Sequence, residues 1–341
     1  MREYELEVLE NYDIEVKSTR KIRGAFFCDT KEGTMLLRET NISEKRAPFL
    51  YLMLSRLESE EGIKTDIPVL TREGKIISSL GDGTKYMLKH WFSGRECDLK
   101  RESETLKAAS ELGRLHRCMN RQSEKAFREG SPFGFSAKQH PAEEMTKHNR
   151  ELRRIRSYVR GRVAKNEFEA MFLKNFDRMY RLAETVTDRM RQEKFDTLYG
   201  NSIRQGHIVH GDYNYHNVLM VQDGIAVTNF EHMCFGLQVH DLYYFMRKTM
   251  EKCHWKQELG REILEAYESE NDIGKSEKEY VGLFLAYPEK FWKIAGNYYH
   301  TNKAWMSEKN VEKLELSIRQ EEEKYSFLEK IFSLNLQNRV V

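Results

Sequence analysis

Of the chain's 341 residues, 56 are Lys or Arg and 54 are Asp or Glu, so 32% are charged against 40% hydrophobic. The net charge of +2 gives no global field of the kind that nucleic-acid or membrane-surface binding draws on. The 18 Phe, 17 Tyr and 4 Trp exclude a chain unable to collapse. Residues 1–7 are acidic where a signal peptide needs an apolar run, and no stretch reaches the roughly 18 apolar residues of a membrane span. Five scattered cysteines (Cys28, Cys97, Cys118, Cys234, Cys253) without a CxxC pair read as reduced thiols. The expectation is a soluble intracellular protein of one large or two medium-sized domains.

Tyr4, Val8 and Leu9 mark a short amphipathic segment. Residues 24–28 and 34–38 are apolar runs joined by the turn Asp29-Thr30-Lys31-Glu32-Gly33, which predicts a hairpin. Phe49, Leu50, Met53, Leu54 and Leu57 recur at helical spacing and predict a helix over 46–57. A second hairpin is predicted from 75–77 and 85–89, turning at Gly81-Asp82-Gly83. From Ser93-Gly94-Arg95 onward the pattern is helical. Leu106, Ala109, Leu112, Leu115 and His116 mark one helix, Leu152, Ile155, Val159 and Val163 another, and 168–190 a third. Residues 207–232 interrupt it with short strand-like pieces at 208–209, 218–220 and 225–227. Helices return over 242–253, 258–267, 278–302 and 311–332. Five prolines in the whole chain favour such long helices. The fold class is α+β: a β-rich lobe with one helix over 1–91, then a large helical lobe over 92–341.

The informative segment is His210-Gly211-Asp212-Tyr213-Asn214-Tyr215-His216-Asn217, followed by Thr228-Asn229-Phe230-Glu231 and His240-Asp241. Phosphoryl transfer needs a carboxylate to orient the acceptor and oxygen ligands for Mg²⁺ on rigid loops. Asp212, at a strand end, is placed to accept the proton of a substrate hydroxyl. Asn217, five residues on, can return an amide oxygen to a metal, or simply cap a turn. His210 and Asp241 read as braces of the loop between them.

The His210-Gly211-Asp212-x4-Asn217 pattern resembles the catalytic loop of the aminoglycoside phosphotransferase and choline kinase-like proteins, a branch of the protein-kinase-like fold. Ala108-Ala109-x-x-Leu112-Gly113-x-Leu115-His116 is similar to the first helix of that fold's large lobe. Residues 86–96 and 238–248 are similar to CotS-type spore coat proteins of endospore-forming bacteria. The resemblance spans about 10–330. It implies a two-lobed kinase-like fold, ATP and Mg²⁺ as cofactors if active, Asp212 as the catalytic base and a small-molecule acceptor. It also implies synthesis in the sporulating cell's cytoplasm, and other spore coat proteins as partners; neither membrane nor nucleic acid is expected.

Three departures fall where chemistry is most demanding. Active relatives carry aspartate, the principal Mg²⁺ ligand, at the position of Asn229. Mg²⁺ gives up its waters for carboxylates, and one charge at about 4 Å is worth roughly 4 kcal/mol at an effective dielectric of ~20, before desolvation and screening are subtracted. Arg38 stands where a phosphate-pairing lysine is expected, and its planar fork is no equivalent of a point charge. Gly24 alone represents the glycine-rich loop. Glu44 is a candidate partner for Arg38, with Glu39 and Glu58 competing. The expectation is therefore a coat protein on a kinase scaffold with decayed phosphotransfer, the alternative being a working phosphotransferase. The basic run Arg150, Arg153, Arg154, Arg156, Arg160, Arg162 and Lys165 reads first as a solvated helix face and second as a surface for an acidic partner. His207, His210 and His216 do not make a zinc set.

Overall fold

The computed structural model describes residues 4–129, 137, 139–301 and 308–336. A 3₁₀ helix over Tyr4–Asn11 is followed by β1 (Val16–Ile22), β2 (Ala25–Thr30), β3 (Thr34–Glu39), α1 (Ala47–Glu61), β4 (Lys64–Thr65), β5 (Ser78–Ser79), β6 (Lys85–His90) and β7 (Gly94–Glu96). Then come α2 (Glu102–Arg128), α3 (Pro141–Gly161), α4 (Glu167–Met190) and α5 (Glu193–Arg204). Next are β8 (Ile208–Val209), β9 (Val218–Val221), β10 (Gly224–Val227) and β11 (Cys234–Phe235). The chain continues through α6 (Val239–Met250), α7 (Gln257–Glu268), α8 (Lys275–Ala286), α9 (Glu289–His300), α10 (Glu308–Arg319) and α11 (Glu321–Phe332). This is the expected α+β order, a small antiparallel-sheet lobe before a largely helical one. By contacts the chain divides into two compact units, one of residues 1–137, 203–241 and 266–271, the other of 138–202, 242–265 and 272–341.

In the first unit a five-stranded antiparallel sheet runs β1-β2-β3-β6-β5. Alternation along its strands sends Phe26, Cys28, Met35, Leu37, Tyr86 and Leu88 to one face, where they pack with Val8 and Tyr12. The opposite face carries two cross-strand rows, Ala25–Arg38–Met87 and Phe27–Leu36–Lys89. On α1, all five residues of the expected stripe are buried. A second sheet runs β4-β10-β9-β7, with β4 parallel to β10 and Val227 opposite Thr65. Two parallel strands that end side by side bring the residues after them together, so Asp66 meets Asn229.

The second unit packs α3, α4, α9 and α10 around Leu152, Ile155, Phe172, Phe176, Phe291 and Leu314. In the basic run, Arg156 pairs with Asp177 at 2.7 Å and Arg162 with Glu169 at 3.2 Å. Arg153 lies over the Tyr180 ring. Arg154 and Arg160 are exposed.

Several expected elements are corrected. The outer strand of the second hairpin is Ser78–Ser79, not 75–77, because Thr71 closes a turn with Lys75 through both its amide and its hydroxyl. Val163 is fully exposed, since α3 stops at Gly161 and Arg162 is extended. The helix expected over 278–302 is two: Tyr287 takes an extended conformation ahead of Pro288, whose ring cannot continue a helix. Its expected last residue, 302, lies outside the described residues. The helix expected over 311–332 breaks at Gln320, whose side chain donates to the Glu251 carbonyl at 3.1 Å. α5 was not anticipated. The five cysteines are free thiols, and burial pushes Cys28 up to about 11 and Cys97 up to about 12, far from a reactive thiolate.

Candidate active site

The loop between β8 and β9 is held from beneath. Asp241, in the first turn of α6, accepts the amides of His210 at 2.7 Å and Gly211 at 3.0 Å. Its Oδ2 also lies 3.2 Å from Nε2 of buried His116, whose Nδ1 is 2.8 Å from the Tyr267 hydroxyl. His210 accepts the Asp212 amide on Nδ1 at 3.1 Å and donates from Nε2 to the Thr228 carbonyl at 3.0 Å. Burial lowers its pKa, which keeps the ring neutral, as this donor–acceptor pattern requires. Gly211 takes φ +84°, and a Cβ there would sit 2.4 Å from the His232 carbonyl oxygen, so only glycine fits. The Tyr213 hydroxyl donates to the Ala108 carbonyl on α2 at 2.8 Å.

On this support Asp212 is half-buried, and its carboxylate is surrounded by amides. Asn214 donates to Oδ1 at 3.0 Å; Asn217 and Asn229 donate to Oδ2 at 2.9 and 3.4 Å. The Asn217 side-chain oxygen in turn accepts from the Asn229 side-chain amide at 3.5 Å. Asn229 adopts left-handed geometry at φ 70°, which an Asn tolerates. Asp212, Asn217 and Asn229 are thus one cluster.

Arg38 is exposed on β3 and makes no ion pair among the described residues. Its cross-strand partner is Ala25, next to Gly24. Arg23 and Gly24, both at positive φ, form the two-residue turn between β1 and β2. Arg23 reaches Glu96 at 3.3 Å, and Glu96 is 2.5 Å from Nδ1 of His216. Glu44 pairs instead with Lys85, at 3.5 Å.

The residues that sequence reasoning missed are Lys89, Asp66 and Glu231. Lys89, 3% exposed on β6, donates to Glu231 Oε1 at 2.7 Å and Asp66 Oδ2 at 3.3 Å. Asp66 Oδ2 also accepts the backbone N–H of Asn229 at 2.9 Å. Thr40 donates to the other Glu231 oxygen at 2.6 Å, and Arg46 donates to the Glu231 and Met233 carbonyls at 3.1 and 2.8 Å. Burial opposes the charge on both Glu231 and Lys89. The Lys89 ammonium, the Thr40 hydroxyl and the Arg38 charge nevertheless hold Glu231 below the usual carboxylate range, and the two carboxylates hold Lys89 above the usual lysine range. Burial pushes Asp66 up. The signal in the sequence was a lysine at the end of the otherwise apolar run Tyr86-Met87-Leu88-Lys89.

This donor set suits Mg²⁺ poorly. Such a site wants hard oxygens, including one or two free carboxylates. Here the Asp212 carboxylate faces three amide N–H groups, and Glu231 is neutralised by Lys89. No group of three His, Cys, Asp or Glu side chains able to hold a metal occurs among the described residues, His207, His210 and His216 included.

A small antiparallel sheet, a helical lobe and a strand-borne Gly-Asp-x4-Asn loop braced by a buried carboxylate define the kinase-like phosphotransferase fold. Among solved structures, an aminoglycoside phosphotransferase from Alicyclobacillus acidocaldarius superposes with a TM-score of 0.83 at 18% identity, over 96% of this chain and 95% of that one. Amicoumacin kinase in complex with AMP-PNP, Ca²⁺ and Ami gives 0.62 at 14%, over 93% and 92%. The chain belongs to the family described as spore coat putative kinase YutH, which matches residues 5–331. It is also 23% identical to spore coat protein S of Bacillus subtilis over 329 residues, 93% of this chain and 89% of that protein. Among the described residues no helix is long and apolar enough to cross a membrane.

Proposed function

We propose that the chain is a spore coat component in which a kinase-like scaffold has lost phosphoryl transfer and serves coat assembly by binding other coat proteins. The observation that carries this reading is the amide cluster on Asp212. In a working site that carboxylate must take a proton from an acceptor hydroxyl; here Asn214, Asn217 and Asn229 already donate to it. The amide at 229 adds no charge for a metal. His210 and Asp241 then keep the loop in shape for structural reasons.

A second reading rests on the same half-exposed Asp212. If it is the base of an ATP-dependent phosphotransferase for a small hydroxylated molecule, Asn217 and Asn229 hold one metal weakly. Arg38 and the Gly24 turn would then face the nucleotide phosphates. The deciding experiment follows ATP turnover with Mg²⁺ for wild type and Asp212→Ala, across sugars and amino alcohols. No turnover above background is expected from either. Turnover by wild type that Asp212→Ala abolishes would establish the second reading in place of the first.

A further inference from the structure

A buried carboxylate needs a counter-charge, and a cleft of this fold ordinarily receives one from a divalent ion. Asp66 and Glu231 face the segment that carries Asn229, and their counter-charge is Lys89. We propose that the Lys89 ammonium is a built-in cation standing in for the divalent metal, so that the Asn229 segment assembles without metal and the cleft has no divalent-ion site.

The placement argues for it. Lys89 lies opposite Leu36 on the sheet face that also carries Arg38, so its position on β6 directs it toward the Asn229 segment and not into the apolar core. Its ammonium bridges Glu231 Oε1 at 2.7 Å and Asp66 Oδ2 at 3.3 Å, and Asp66 fixes the backbone N–H of Asn229 at 2.9 Å. One cation thereby ties down both ends of the Asn229-Phe230-Glu231 turn. Lys89 is too deeply buried, and too fully engaged by these carboxylates, to serve as the missing phosphate-pairing lysine. The ammonium places a donor on one oxygen of each carboxylate, and a point charge does not wrap both oxygens of either: Asp66 Oδ1 is buried without a hydrogen-bond partner. The amide at 229 belongs to the same balance. An aspartate there would set a fourth carboxylate beside Asp66, Glu231 and Asp212, with Lys89 the buried cation that meets Asp66 and Glu231 among the described residues.

The inference deepens the reading of a cleft without metal-dependent transfer. Its test reads metal directly, by Mn²⁺ paramagnetic resonance and by melting with Mg²⁺ or EDTA. Wild type is expected to bind no Mn²⁺ stoichiometrically and to melt at the same temperature in both buffers. Lys89→Met/Asn229→Asp is expected to take up one Mn²⁺ and to melt several degrees higher with Mg²⁺ than with EDTA. Lys89→Met/Glu231→Gln, with one charge fewer to balance, is expected to melt above Lys89→Met and to ignore metal. Stoichiometric Mn²⁺ binding by wild type that Asp212→Ala removes would overturn the inference. So would a Lys89→Met/Asn229→Asp chain equally unstable in both buffers, or a Lys89→Met/Glu231→Gln chain no more stable than Lys89→Met. Metal binding without turnover defeats this inference alone, whereas turnover in EDTA defeats the proposed function alone.

Discussion

Replacing Asp241 by alanine should loosen the loop on which the candidate site stands. The carboxylate is 1% exposed and accepts the His210 and Gly211 amides while facing His116. Hydrogen bonds to a charged group contribute about 1.5–3 kcal/mol each, and a buried donor left unpaired forfeits a comparable amount. Two lost amide bonds therefore amount to roughly 3–6 kcal/mol, and a water entering the vacated space brings the expectation to the low end, about 3 kcal/mol. That is a large share of the roughly 5–15 kcal/mol that holds a typical domain together. The assay is urea unfolding of wild type and Asp241→Ala, with native-state hydrogen exchange at the His210 and Gly211 amides. Exchange at those two positions should accelerate by about two orders of magnitude, since each 1.4 kcal/mol is about tenfold. A stability change below about 1 kcal/mol with unchanged exchange would refute the argument that this carboxylate holds the loop.

Acid should destabilise the fold in two stages. Burial lowers the pKa of His148, His207 and His210, so the unfolded chain binds protons at the ordinary 6.5 where the folded one does not. Stability is therefore fully present above pH 6.5 and falls below it; the Glu231 contribution is lost later, below its ordinary 4.5. Equal urea midpoints at pH 7.5 and 5.5 would contradict this. Gly211→Ala combines a left-handed φ with a Cβ 2.4 Å from a backbone oxygen, whereas Gly24→Ala has φ +79° and open space around it. The first should cost well over 2 kcal/mol and the second about 1 kcal/mol, read as the difference between their melting midpoints. Equal midpoints would show that backbone strain, and not the His232 contact, sets the requirement at 211.

What the sequence determined by itself was local. The apolar stripe of α1, the hairpin of β2 and β3 and the short strands around 208–227 follow from periods of 3.6 and 2 and from turn residues a few positions apart. The catalytic-loop spacing is likewise written within eight residues, and Asp212, Asn217 and Asn229 do meet in space. The tight Arg23-Gly24 turn and the break at Pro288 were legible in principle, because Gly and Pro act on their own backbone. Tertiary structure alone decided the charge balance of the cleft. Lys89 reaches Asp66 across 23 positions and Glu231 across 142, and neither separation leaves a period or a motif to read. The parallel pairing of β4 with β10 brings Asp66 to the Asn229 segment, and the contact between Lys89 and Glu231 keeps both of them charged against the cost of burial. Whether Arg38 met Glu44, Glu39 or Glu58 was a question of the same kind. Glu44 pairs with Lys85, and the Arg38 charge is felt instead by Glu231, on a turn that the sequence places nearly two hundred residues away.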